Sequence, residues 1–92
     1  MPKQNIIGPL VRRLRVDGGL SQDALAAQCQ RFGWALTRST LAKIEARIRL
    51  VNDAEVFLLA HALGVSPEKL FPANKRNRID AAVIEAARHS AD

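Results

Sequence analysis

Apolar residues recur along this chain three or four positions apart, the spacing that lines one face of an α-helix. Four such stripes follow one another: Ile7-Leu10-Val11-Leu14, Leu25-Ala26-Cys29-Phe32, Leu41-Ile44-Ile48 and Val56-Leu59-Ala60-Leu63. The sequence has no alternating runs of β-branched residues, which would indicate strands, and is rich in Ala and Leu. The pattern therefore predicts an all-α fold.

Residues typical of helix ends separate the stripes. The first predicted helix begins between residues 6 and 9 and stops at Gly18-Gly19, because glycine readily adopts the conformations that end helices. Residues with good N-capping side chains begin the next four helices: Ser21, Thr37, Asn52 and Ser66. The fifth predicted helix is short, with Pro67 in its first turn and Leu70 and Phe71 as core residues.

The composition changes after Pro72. Residues 73–78 are polar and basic, and we interpret them as a linker that follows one domain over residues 1–72. Residues 79–92 carry a narrow apolar stripe, which predicts either a short sixth helix or a tail. A helix this short is marginally stable alone, so it would pack on its own domain or on a second copy.

Positive charge is concentrated in one half of the chain, whose formal net charge is +5. Residues 1–50 hold nine Lys or Arg and three acidic residues, whereas residues 51–72 hold one and three. One basic half suits a polyanion lying against one face, although a generally basic protein is the simpler interpretation. A single cysteine excludes an internal disulfide, and no apolar run approaches the roughly 20 residues of a membrane span, so we expect a cytoplasmic protein.

The predicted third helix, residues 37–47, has two unlike faces. Leu41, Ile44 and Ile48 mark the side predicted to be buried. Long donors and small residues occupy the other side: Arg38, Ser39, Ala42, Lys43 and Arg47. The acidic Glu45 falls beside the buried stripe rather than on the outer face. Such a helix is suited to enter the major groove of DNA.

Three segments resemble the lambda-repressor-like helix-turn-helix DNA-binding family, also called the Cro/repressor or XRE type. They are Leu14–Ala26 with its Gly-Leu-Ser-Gln turn, Arg38–Glu45, and Leu59–Phe71 with its Ala-Leu-Gly-Val-Ser run. The resemblance covers about residues 6–72 and implies a five-helix domain whose third helix recognises DNA.

Two departures from the family pattern have structural consequences. The connection around Gln30–Leu36 is several residues longer than usual, as in a family subgroup with a lengthened connection between helices 2 and 3. At the end of helix 3 the family often has Gly, where this chain has Ala46-Arg47. Either the helix runs on, or Arg47 adopts a strained conformation that costs about 1–2 kcal/mol.

The resemblance also implies roles for individual residues. Base contacts are expected from Arg38, Ser39, Thr40 and Lys43, because Arg and Lys can donate to guanine O6 and N7. Phosphate contacts are expected from Gln22, Thr37, Arg47 and Arg49. Arg15 and Glu45 match positions that pair to join helix 1 to helix 3, although Arg15 on a phosphate is an alternative. Each exposed residue has the alternative of an ordinary solvated side chain.

The sequence therefore predicts a sequence-specific double-stranded-DNA-binding transcriptional regulator, a repressor that binds as a homodimer. One alternative is an antitoxin-like autoregulator in which residues 79–92 bind a protein partner. Another is an interaction module that kept the fold and lost DNA binding.

Other residues with chemical potential are expected to be structural. We expect Trp34 to anchor the lengthened connection and Cys29 to be a buried thiol. His61 and His89 lack neighbours at metal-ligand spacing, so we expect neither metal nor cofactor. The sequence has no phosphate-binding glycine loop and no nucleophile–base set, which argues against an enzyme.

Overall fold

The computed structural model describes residues 3–73 and 79–90, and all regular structure within them is helical. The elements are α1 (Gly8–Asp17), α2 (Gln22–Arg31), α3 (Arg38–Glu45), α4 (Asp53–Leu63), a 3-10 turn (Pro67–Leu70) and α5 (Ala81–Ser90). The predicted all-α fold is confirmed.

Side-chain caps begin α2, α3 and α4 at the predicted residues. Ser21 Oγ accepts a hydrogen bond from the Ala24 amide at 3.0 Å, and Thr37 Oγ1 accepts one from the Thr40 amide at 3.1 Å. Asn52 and Glu55 cap α4 reciprocally, each side chain accepting from the other residue's backbone N–H. These bonds satisfy amides that a helix leaves without internal partners, which fixes where each helix starts.

The predicted fifth helix is instead the 3-10 turn. Pro67 starts it and Phe71 is already extended, with φ −95° and ψ 134°. Because a residue that precedes proline avoids the α region, Pro72 leaves room for one turn only. Leu70 is fully buried as predicted, whereas Phe71 is half-buried against the core.

The core lies where α1 to α4 and the 3-10 turn meet. Its largest fully buried side chains are Val11, Leu25, Cys29, Leu36, Leu41, Ile44, Leu59 and Leu70. The prediction of burial is wrong for two apolar residues: Phe32 is 40% exposed and Ile48 is 37% exposed. Both lie beyond the last regular turn of their helices, next to a residue with positive φ, where the helical spacing no longer determines the direction of the side chain.

The lengthened connection between α2 and α3 is anchored at both ends. Trp34 packs against the core, and its amide donates to the carbonyl of Cys29 at 3.2 Å. Leu36 is 1% exposed, and its carbonyl accepts a 2.7 Å hydrogen bond from the Gln30 side chain. The extra residues therefore form an ordered connection that presents α3 in a fixed orientation.

The C-terminal segment forms α5, within the predicted range. Asp80 Oδ1 accepts from the Val83 amide at 3.1 Å at the start of this helix. Ala86 and Ala87 line an open apolar groove together with Ile6, Val51 and Phe71. Residues 74–78 of the predicted linker lie outside the described residues. Within residues 3–73 and 79–90, every helix is too short or too polar to cross a bilayer.

Candidate nucleic-acid interface

The exposed face of α3 carries cations and small residues. Leu41 and Ile44 are fully buried on the opposite face, so the amphipathic pattern fixes the rotation of the helix. Arg38, Ser39 and Lys43 are exposed. Neither Arg38 nor Lys43 takes part in an ion pair within the part of the chain that is described, so both charges face solvent. A flat helix face with two free cations is suited to contact a polyanion.

The acidic residue of α3 is turned inward and neutralised. Glu45 is 8% exposed and accepts two hydrogen bonds from Arg15, at 2.7 Å from Nε and 3.1 Å from Nη2. The Glu45 hydrogen bond raises the pKa of Arg15, although burial alone would lower it. The third partner is Gln22, whose Nε2 donates to Glu45 Oε1 at 3.1 Å. This network joins α1, α2 and α3 and holds the acidic side chain of α3 away from the exposed face of that helix.

A further cation lies beside this network. Arg12 is exposed, takes part in no ion pair within the described ranges, and lines an open groove with Gln22, Ala42 and Ala46. The groove places it on the α3 side of α1, whereas Arg13 pairs with Asp17 at 3.9 Å. Sequence reasoning did not single out Arg12, because helical spacing alone does not show which neighbouring helix a side chain faces.

The hydroxyls of Thr37 and Thr40 are bonded to each other. Thr37 Oγ1 donates to Thr40 Oγ1 at 3.1 Å while also accepting from the Thr40 amide. The two side chains lie at the N-terminal end of α3, where unpaired backbone N–H groups give a partial positive charge. Their hydroxyls can rotate toward a phosphate or a base, but only by giving up the mutual hydrogen bond.

The end of α3 resolves the alternative that the sequence left open. Arg47 has φ +66°, so the helix stops at Glu45 and the chain turns left-handed. The Arg47 amide donates to Ile44 O and the Ile48 amide to Lys43 O, both at 3.0 Å. This hydrogen-bond pair is a Schellman motif, which usually has glycine in the left-handed position.

The N-terminal segment, defined here as residues 4–8, packs against this helix end. Asn5 donates through Nδ2 to Ile44 O at 3.1 Å and to Arg49 O at 2.9 Å. Arg47 Nε donates to Asn5 O at 2.9 Å, and the Gln4 amide donates to Arg47 O at 2.9 Å. Gly8 lies so close that a Cβ there would overlap the Ile44 carbonyl. The N-terminal segment therefore holds α3 at its C-terminal end.

Sequence reasoning missed both Asn5 and Gly8. The available signal was local: Asn5 stands three residues before Gly8, a spacing at which Asn can cap a helix start, and its Oδ1 does accept from the Gly8 amide at 2.8 Å. Its partners on α3 are about 40 residues away in sequence. No periodicity or spacing rule connects positions so distant, so only the folded chain reveals the contact.

Arg49 lies beyond Arg47 and is paired with Glu55 through two hydrogen bonds, at 2.9 and 3.0 Å. Burial of Glu55 raises its pKa. Hydrogen bonds from Arg49 and from the Asn52 backbone, together with the charge of Arg49, lower it by more, so the net shift of the pKa is downward. The positive charge of Arg49 is thus largely compensated, so Arg47 presents more unbalanced charge on this loop.

The remaining reactive groups give no second site. Burial raises the pKa of Cys29 to about 11, which keeps the thiol protonated and unreactive near neutral pH. Over residues 3–73 and 79–90, no three His, Cys, Asp or Glu side chains cluster so that they could hold a metal ion. The chemistry of the described surface is therefore that of its exposed cations.

Comparison with known proteins gives the family of this arrangement. A family model described as Helix-turn-helix matches residues 11–70, which contain most of α1, all of α2 to α4 and the 3-10 turn. The chain belongs to the XRE-type, lambda-repressor-like helix-turn-helix family. In this fold α2 and α3 are the helix-turn-helix pair.

A solved structure agrees with the assignment. The chain is similar to the crystal structure of the hypothetical transcription factor NHTF from Neisseria, with 28% sequence identity, a TM-score of 0.67 and 80% of each chain covered. No curated protein matches the chain. The family and this neighbour support a function as a DNA-binding transcriptional regulator.

Proposed function

We propose that the protein is a sequence-specific repressor that binds double-stranded DNA by placing α3 in the major groove. The observation that carries this proposal is the inward rotation of Glu45, which leaves an exposed helix face with Arg38 and Lys43 unpaired and no acid to repel phosphates. A helix of this width fits the major groove, where base pairs present distinguishable donors and acceptors.

Base reading falls to the exposed face of α3. Arg38 and Lys43 are the strongest candidates, because each can donate to guanine O6 and N7. Ser39 is exposed and short enough for a base edge or a neighbouring phosphate. Thr40 is half-buried and its hydroxyl is bonded to Thr37, so it contributes to base reading only after that hydrogen bond opens.

Phosphate contacts surround the base-reading residues. Gln22 and Thr37 lie at the N-terminal ends of α2 and α3, and Arg47 and Arg49 follow the end of α3. The position of Arg12 beside Gln22 adds this residue to the set. Contacts with several phosphates release counterions, so the affinity should fall steeply as salt is raised.

The proposed biological unit is a homodimer on two half-sites about one helical turn, roughly 34 Å, apart. The described residues contain no sensor domain, so occupying a promoter in the cytoplasm is the simplest mode of repression. A palindromic target whose half-site spacing matches one turn would support both the dimer and the proposed geometry of α3.

The test begins by selecting bound sequences from a pool of random duplexes. Affinities of Arg38→Ala and Lys43→Ala are then measured on the selected site and on an unrelated duplex. Each substitution should weaken binding to the selected site by about 1–3 kcal/mol and relax the preference for the base that it reads. Lys69→Ala is the matched control, because it removes an exposed cation from the 3-10 turn.

Equal losses on all sequences would contradict base reading by Arg38 and Lys43 and would leave them as phosphate contacts. Selection that yields no preferred sequence, with no measurable duplex affinity at low salt, would overturn the proposed function as a whole.

A second candidate is an antitoxin-like autoregulator that also binds DNA. It is favoured by two apolar side chains near the C-terminal end: Ile79 is 82% exposed and Ile84 is 42% exposed. Exposed isoleucines on a short helix are suited to a partner protein. Co-purification with the product of a neighbouring gene, lost on Ile84→Glu with DNA affinity unchanged, would favour this candidate over a self-sufficient repressor.

A further inference from the structure

We infer that Asn5 is a positioning residue of the DNA interface, which holds the backbone of residues 47–49 where Arg47 and Arg49 can reach phosphates. The inference rests on the proposed function, in which these two arginines contact the DNA backbone. It assigns a binding role to the N-terminal segment, which lies outside the region matched by the helix-turn-helix family model.

Every hydrogen-bonding group of the Asn5 side chain has a partner. The residue is 5% exposed; Nδ2 donates to Ile44 O and Arg49 O, and Oδ1 accepts from the amides of Ile7 and Gly8. A primary amide offers two donors beside one acceptor oxygen, and this site uses all of them. An Asp of the same shape lacks the donors, and a Ser is too short to supply both.

The two hydrogen bonds that Asn5 donates lie on either side of the strained residue, Arg47. Ile44 O lies before Arg47 and also accepts from the Arg47 amide, whereas Arg49 O lies two residues beyond it. Arg47 itself is bound to the N-terminal segment through its backbone oxygen and its Nε atom. The left-handed conformation, which an Arg does not favour, is thus fixed by contacts on both sides.

This role of Asn5 is separate from base reading. Arg38 lies six residues before Ile44, about 9 Å along the helix axis. It is held at the opposite end of α3, where Thr37 and Thr40 form the cap. Loosening the C-terminal end should therefore move the phosphate-binding loop while the base-reading Arg38 stays in place.

The experiment compares Asn5→Ser with the parent chain on the selected duplex and on a random duplex. Serine keeps a side-chain oxygen that can accept from the Gly8 amide but removes the two donors directed at Ile44 O and Arg49 O. Affinity should fall about tenfold on both duplexes, so the ratio of the affinities for the selected and the random duplex should stay unchanged. The slope of log affinity against log salt concentration should become shallower by about 1. Leu70→Val is the control: it perturbs the core, and its affinity and salt slope should match the parent when both are fully folded.

Hydrogen exchange of the free protein gives a second readout that does not depend on DNA. The Ile48 amide, bonded to Lys43 O at the end of α3, should exchange at least tenfold faster in Asn5→Ser. The Trp34 amide makes the equivalent hydrogen bond at the end of α2. Its exchange rate should change no more than the change in global stability requires. If Asn5→Ser does not fold fully, Asn5→Asp replaces it, because it keeps the acceptor oxygen and lacks the donors.

The two readouts distinguish failure of this inference from failure of the proposed function. A parent chain that binds no duplex overturns the proposed function, whatever the variant does. A binding parent whose folded Asn5 variant keeps the same affinity, salt slope and Ile48 exchange shows that Asn5 does not position the loop. A loss confined to the selected duplex, with the salt slope unchanged, also overturns the inference because it would place the effect on base reading.

Discussion

The two helices of the helix-turn-helix pair end with the same hydrogen-bond pattern but stabilise it differently. At the end of α2, Gly33 has φ +98° and no heavy atom lies within 4 Å of where its Cβ would be. At the end of α3, Arg47 has φ +66° and is bonded to the N-terminal segment by its backbone oxygen and its side chain. The first ending is local and the second depends on residues about 40 positions away.

The difference shows how a strained residue can persist beside an exposed basic helix. Glycine at position 47 would remove the strain, but it would also remove a cation from the loop that follows α3. The chain instead places Arg there, and four hydrogen bonds between residues 4–5 and residues 44–49 offset the strain. Strain of about 1–2 kcal/mol is within what such bonds contribute.

The largest effect should come from Gly8→Ala, which breaks the ending of α3. The new Cβ would overlap Ile44 O and lie 2.9 Å from Glu45 O, and neither backbone atom can move without disturbing the helix. We expect a loss of about 3 kcal/mol in the free energy of unfolding, measured by urea denaturation. Gly18→Ala is the control, because its Cβ would lie 3.3 Å from Leu14 O and 3.7 Å from Arg15 O, without overlap, and its φ of −82° suits any residue. Parent-like stability of Gly8→Ala would show that the N-terminal segment is not tightly packed on α3.

A smaller effect should separate Arg47→Gly from Arg47→Ala. Both variants lose the hydrogen bond from Nε to Asn5 O, but only Ala keeps the unfavourable left-handed conformation. We expect the Gly variant to be more stable than the Ala variant by about 1 kcal/mol in thermal or urea unfolding. The reverse substitution at the end of α2, Gly33→Ala, should cost a similar amount. Equal stability of the two Arg47 variants would mean that the backbone of residues 46–48 relaxes once the side chain is removed.

The smallest effect should be a pH dependence of the stability that the Arg49–Glu55 pair contributes. This pair lies after α3 and has no counterpart after α2. Because the pKa of Glu55 is lowered on folding, its pairing with Arg49 stabilises the native state above the ordinary value of 4.5, and this contribution disappears as the pH falls through the lowered pKa. The free energy of unfolding of the parent should exceed that of Glu55→Gln by less than about 1 kcal/mol at pH 7, since Arg49 is 32% exposed at its side chain. The difference should shrink as the pH falls below 4.5 and through the lowered pKa. A difference that does not change with pH would assign the stability to packing of Glu55 instead of its charge.

Local signals in the sequence were sufficient for most of the fold. Ser21, Thr37 and Asn52 begin their helices as predicted, because capping involves residues only three positions apart. Apolar spacing failed only where a helix had already ended, at Phe32 and Ile48. The fifth helix is a single turn, within the one or two turns predicted, because Pro72 constrains the residue before it.

Periodicity and charge along the chain were enough to predict an all-α protein whose third helix has a basic exposed face, since both are properties of neighbouring residues. The tertiary structure decided what surrounds that helix. It placed Arg12 beside Gln22, paired Arg49 with Glu55, and closed the end of α3 with Asn5 and Gly8. These contacts join positions far apart in the chain, so they follow from the packing of the whole domain and leave no local pattern to read.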